Sequence, residues 1–117
     1  MKFVPANVHG VIDYAAAVGL IALPFILGFS GVALFLSAGA GAALFLYSLV
    51  TDYSTSVQKV LPFSAHLLID FVAGVAFIAA PFLFGFQGLE RLYFLIMGVV
   101  VCALVLVTDT AIEAEEA

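Results

Sequence analysis

The 117-residue sequence has no tryptophan, one cysteine and three basic residues, and charged side chains make up only 9% of it. Each shortage closes off a class of protein. Cys102 has no second cysteine to pair with, so a disulfide framework or a cysteine metal motif within one chain is excluded. Lys2, Lys59 and Arg91 are too few to form the basic face of a nucleic-acid-binding domain. The net charge of -5 depends largely on Glu113, Glu115 and Glu116 near the end of the chain. No phosphate loop or dinucleotide fingerprint occurs, and Ser37, Ser48 and Cys102 have no recognisable base at their own depth, so no enzyme is expected.

What the chain does contain is apolar. Its hydrophobic content is 66% and its mean hydropathy +1.31, against ~45–50% apolar residues in soluble domains. Apolar stretches run over 7–28, 32–52, 64–86 and 90–109, each near the ~20 residues that cross a ~30 Å hydrocarbon core as a helix. An integral membrane protein with four spans is expected. Lys2 before an apolar run and small residues from Ser37 to Ala40 loosely resemble a cleaved signal. An internal repeat argues against removal, because its first unit would lose its first helix.

That repeat appears at an offset of 57 residues, which carries His9 onto His66. It aligns KFVPANVHGVIDYAAAVGLIALPFILGFSG with KVLPFSAHLLIDFVAGVAFIAAPFLFGFQG, and VTD at 50–52 with VTD at 107–109. Repeat 1 covers 2–53, repeat 2 covers 59–110, and 111–117 is an acidic tail. Two spans per unit give both units the same orientation, so the expected fold is all-α: a four-helix transmembrane bundle of two parallel tandem two-helix repeats. Both termini and the linker then share one membrane side. Lys2 and Lys59 against Arg91 favour the cytoplasm for that side.

Both units share a local grammar. Pro5 and Pro62 stop what precedes them, and Asn7 and Ser64 are placed to cap the next helix. Pro24 and Pro81 each remove a backbone bond and are expected to kink the helix before Gly28 and Gly85 turn the chain back. Phe25, Phe29, Phe82, Phe84 and Phe86 crowd that hairpin side. Ser37 to Ala43 is rich in small residues, with Gly39 and Ala43 spaced for close helix packing, inside the chain in the first place or else between copies. At 100° per residue, His9, Asp13, Ala16 and Ala17 share a stripe, as do His66, Asp70, Ala73 and Gly74, and these stripes are expected to bring helices one and three together. Ser37, Gly41, Ser48 and Asp52 form another. His9, Asp13, Asp52, His66, Asp70 and Asp109 then gather at one membrane face as a candidate polar cluster.

The motifs His-x-x-x-Asp-[Tyr/Phe] at 9–14 and 66–71, Pro-Phe-x-x-Gly-Phe at 24–29 and 81–86, and Thr-Asp at 51–52 and 108–109 span nearly the whole chain. In these the chain resembles the SPW-repeat family of small bacterial membrane proteins. The resemblance implies a helical membrane fold and a bacterial inner-membrane location, without an established activity. Leu23-Pro24-Phe25 and Ala80-Pro81-Phe82 stand where the family has Ser-Pro-Trp.

Two readings of the cluster follow. In the simpler one, His and Asp four apart interact on a helix and hold the helix starts in register, each neutral His making one hydrogen bond. In the sharper one the cluster handles protons or a divalent metal, the candidate ligands being His9, Asp13, His66 and Asp70. A bis-histidine haem would require His9 and His66 to face one another across the bundle, and no cofactor is expected. The overall expectation is a small non-enzymatic integral membrane protein in the lipid bilayer, working by self-association or with a membrane-protein partner. Proton or divalent-metal transport or sensing is the alternative.

Overall fold

A computed structural model of the chain describes residues 3–51 and 58–109. Among them, α1 (Ala6–Ile26), α2 (Gly31–Leu49), α3 (Phe63–Phe84) and α4 (Gly88–Val107) form a helical bundle, with short strands β1 (Val4–Pro5) and β2 (Thr108–Asp109) at one end. All four helices are long and apolar enough to cross a membrane, as the hydropathy predicts. Each starts one or two residues earlier than the apolar stretches suggest and ends two or three earlier.

The early start has a local cause, and it corrects the expected caps. Pro5 and Pro62 are themselves the N-caps, in extended backbone and with no side-chain cap bond. The Pro62 carbonyl already accepts the His66 N–H at 3.1 Å. The helix therefore begins directly after each proline, which leaves Asn7 and Ser64 inside the first turn, past the capping position. Asn7 Oδ1 instead accepts the neighbouring Val8 N–H at 2.9 Å.

Pro24 and Pro81 act at the other end of the same helices, within the last turn. Their carbonyls accept the N–H groups of Phe29 and Phe86, at 2.8 and 2.9 Å, across Gly28 and Gly85 at φ 77 and 70. This is a Schellman-type helix end, for which a glycine in left-handed backbone is well suited. The chain then folds back: Phe29 packs edge-on against Tyr93 at 5.1 Å, and Phe86 lies tilted against Phe94 at 4.9 Å. The hairpin phenylalanines therefore divide. Phe29 and Phe86 are buried, while Phe25, Phe82 and Phe84 face outward, with Arg91 lying over the Phe82 ring.

The main packing is within each hairpin, α1 on α2 and α3 on α4. A Cβ on Gly41 would stand 2.7 Å from the Ala17 carbonyl oxygen, and one on Gly98 would stand 2.6 Å from that of Gly74. These two contacts are equivalent under the 57-residue offset. They also correct the expectation that Ala17 and Gly74 join helices one and three: the short hairpin makes α2 and α4 the neighbours these small residues admit. Gly41 does this packing in α2, whereas nothing lies within 4 Å of a Cβ on Gly39 and Ala43 is exposed.

The two hairpins also share one apolar core, in which Phe29, Leu20 and Leu44 join Phe86, Tyr93 and Phe94, and clefts open on either side of it. The α1/α4 cleft is about 280 Å³ and reaches Asp13, Asp70 and Leu104. The α2/α3 cleft is about 430 Å³, with Gly39, Ala40, Ala73 and Ala76 in its walls. At the closed end, β1 pairs with β2 in parallel, Val4 opposite Thr108 and Pro5 opposite Asp109. A parallel bridge joins Thr51 to Leu61 in the same way. Each segment leading into an odd helix thus runs beside the chain leaving the other repeat.

Candidate functional site

The α-helical spacing puts His9 and Asp13 on one face of α1, and His66 and Asp70 on the corresponding face of α3. Both pairs lie near the helix starts, where the two helices meet. His9 and His66 are fully buried, and Asp13 and Asp70 are 3% and 5% exposed. His9 Nε2 lies 3.2 Å from Asp13 Oδ2 in its own helix and 3.1 Å from Asp70 Oδ2 in the other. His66 Nε2 lies 3.1 Å from Asp70 Oδ2 and 2.7 Å from Asp13 Oδ2. Two ring nitrogens and two carboxylate oxygens therefore close a compact four-atom centre to which each repeat gives one histidine and one aspartate.

The other nitrogen of each ring is also engaged, so the expectation of one hydrogen bond per histidine is corrected. His9 Nδ1 lies 2.8 Å from Thr108 Oγ1, and His66 Nδ1 lies 2.7 Å from Thr51 Oγ1. Each threonine hydroxyl donates to a backbone carbonyl four residues earlier, Leu104 or Tyr47, at 2.6 Å. A hydroxyl has one proton. With that proton committed, the oxygen faces the ring as an acceptor and the network assigns the proton on that side to Nδ1. Both Nε2 atoms then point at the carboxylates.

Tyr47 donates its hydroxyl proton to Asp70 Oδ1. The position equivalent to Tyr47 is Leu104, which lines the α1/α4 cleft together with Asp13 and has no hydroxyl to donate, so the two halves of the centre differ there. Phe63 packs against both imidazoles, at 5.5 and 6.0 Å between ring centroids. The imidazoles meet edge-on with centroids 5.7 Å apart, too close for a porphyrin between them.

Of the six residues expected in the cluster, His9, Asp13, His66 and Asp70 come together. Asp52 lies outside the described residues, and Asp109 is described only as backbone, in β2. Thr51, Thr108 and Tyr47 complete the centre and were not singled out from the sequence. The duplicated Val-Thr-Asp is a usable signal for the threonines. Tyr47 carried no such signal, because its counterpart is a leucine. A second polar tie lies deeper, where the hydroxyls of Ser37 and Tyr93 are 2.6 Å apart and Ser37 also donates to the Leu20 carbonyl at 2.8 Å.

Comparison with known proteins matches the SPW repeat domain over residues 7–108. No curated protein and no solved structure matches the chain.

Proposed function

The chain belongs to the SPW-repeat family and is an integral membrane protein, and on that footing we propose that it is non-enzymatic and acts by association in the bilayer, with a second copy of itself or with a membrane partner. The observation that carries this reading is the burial of the centre and its contacts across the repeats. Its two histidines and two aspartates are at most 5% exposed and contact one another across the repeats, which suits a structural tie better than a substrate site. The faces left for contact are apolar, and around Gly39, Ala40, Ala73 and Ala76 they are built from small residues that let helices approach closely. The proposed setting is a bacterial inner membrane, with both termini on the cytoplasmic side.

The test is energy transfer between differently labelled copies in vesicles, run beside identification of proteins that co-purify stoichiometrically from native membranes. Either reversible self-association or one stoichiometric membrane partner is the expected result. A protein that stays monomeric at every protein-to-lipid ratio and brings no partner down would end this reading.

A second reading, proton or divalent-metal handling, is favoured by one observation. The four ligand atoms of His9, Asp13, His66 and Asp70 all lie within 4.8 Å of one another.

A further inference from the structure

We propose that His9 Nε2, His66 Nε2, Asp13 Oδ2 and Asp70 Oδ2 together bind one divalent first-row transition-metal ion of the zinc type, held as a clamp between the two repeats. The inference rests on the second reading above and deepens it from a site of unstated occupant to a resident metal centre.

The proton count leads to it. Each Nδ1–H is given to a threonine oxygen whose own proton is committed to a carbonyl. In the neutral rings, the electron pairs of both Nε2 atoms then face two carboxylate oxygens at 2.7–3.2 Å. Four electron-rich atoms buried within 4.8 Å of one another require positive charge between them. Two protons on the Nε2 atoms would supply it, but each N–H aligns with one oxygen at a time, whereas three of the four contacts are alike at 3.1–3.2 Å. A single divalent ion serves all four atoms, and with two carboxylates and two neutral imidazoles the buried centre carries no net charge.

Donor type and geometry agree. Metal–ligand distances of about 2.0–2.2 Å place tetrahedral ligand atoms roughly 3.3–3.6 Å apart, within a few tenths of an ångström of three of the four observed contacts. The His66–Asp13 contact, at 2.7 Å, would open to admit the ion. Two imidazoles with two carboxylates suit zinc and its neighbours, whereas calcium and magnesium prefer oxygen alone. The surroundings follow the usual pattern of metal sites, in which each ligating histidine gives its other N–H to a fixed acceptor and a ligating carboxylate is itself hydrogen-bonded. Thr51 and Thr108 are those acceptors, and Tyr47 holds the Oδ1 of Asp70 so that Oδ2 turns inward. The three are positioning residues, acting through the ligands.

The experiment uses the full chain, purified in detergent from membranes by a tag without histidines and in the absence of chelator. Elemental analysis is expected to find about one zinc-group ion per chain. After chelator treatment, Co²⁺ should restore the same stoichiometry, raise the melting temperature and give the intense visible absorption of a tetrahedral site. Asp13→Asn and Asp70→Asn proteins with wild-type helical circular dichroism should lose that absorption. Thr51→Val should keep it while binding Co²⁺ about 10–100-fold more weakly. A folded wild-type protein that carries no stoichiometric metal and gives no such absorption with Co²⁺ overturns the proposal. So does a folded Asp13→Asn protein that binds Co²⁺ as the wild type does. Association between copies, measured on the same samples, is an independent readout, so failure of the metal site and failure of the association reading are told apart.

Discussion

His9 Nδ1 lies 2.8 Å from Thr108 Oγ1, a contact between residues 99 positions apart, and it recurs between His66 and Thr51 at 2.7 Å. In both cases the histidine takes its threonine from the other repeat. The aspartates cross over as well, since His9 meets Asp70 and His66 meets Asp13. Each histidine also meets the aspartate of its own helix, but neither repeat completes its half of the centre from its own residues alone. The polar network thus links the two hairpins at one end, Phe29 and Ser37 link them to Tyr93 towards the other, and clefts open between these ties.

That relationship sets the first prediction. Thr108→Val preserves shape and removes the hydroxyl, which strands the buried Nδ1–H of His9 at a cost of about 1–3 kcal/mol. Thr108→Ser retains the oxygen and should cost less. Thr51→Val should resemble Thr108→Val, because the contact is duplicated. Thermal unfolding in a mild detergent measures all three, and a Thr108→Val protein that melts with the wild type would remove the assigned role of the hydroxyl.

Asp70 provides the second. It faces the Tyr47 hydroxyl and both Nε2 atoms. Asp70→Leu should destabilise the fold by about 1–3 kcal/mol for each polar group it leaves unpaired. Asp70→Asn keeps hydrogen-bonding capacity and should largely keep the fold. Tyr47→Phe removes one bond to a carboxylate, about 1.5–3 kcal/mol. Equal melting temperatures for Asp70→Leu and Asp70→Asn would show that these bonds carry no stability.

How far the sequence reaches is visible in these residues. The four helices, the repeat and the meeting of His9, Asp13, His66 and Asp70 are legible because hydropathy, duplication and a four-residue spacing each report on a single helix. The partner of a helix is harder to read. The stripe holding Ala17 and Gly74 correctly marks a buried face, yet spacing does not say which helix fills it, and the hairpin neighbours α2 and α4 do. The threonines stand outside the cluster expected from the sequence because they lie beyond the helix ends, where side-chain direction follows chain pairing, as of 4–5 with 108–109, and not a helical period.

The third prediction separates the glycines. A Cβ on Gly98 would meet backbone, with the Gly74 oxygen at 2.6 Å and the Ile78 nitrogen at 3.0 Å. Backbone atoms there cannot move aside without parting α3 from α4, so Gly98→Ala should cost about 1–3 kcal/mol. Gly41→Ala should behave alike, facing the Ala17 oxygen at 2.7 Å. Gly39→Ala meets nothing within 4 Å and should be neutral or stabilise by up to about 1 kcal/mol through helix propensity. Unfolding midpoints that rank Gly39→Ala below Gly98→Ala would contradict the packing described.

The last prediction concerns the membrane. Four helices that each cross once leave the linker on one side and the two tight hairpins on the other. Gln58 and Gln87 are exposed markers of these sides, and Gln87 is preferable to Gly88, whose φ of +57 would strain a cysteine. In a Cys102→Ala background, Gln58→Cys and Gln87→Cys should react with an impermeant thiol reagent from opposite faces of sealed vesicles. The charge bias predicts that Gln58, with Lys59, reacts from the cytoplasmic side. His9 and His66 lie in the first turns of helices that begin on that same side, so the labelling also locates the buried centre near the cytoplasmic boundary and not at the bilayer midplane. Reaction of both cysteines from one face would end the four-span arrangement, and with it the depth assigned to the centre.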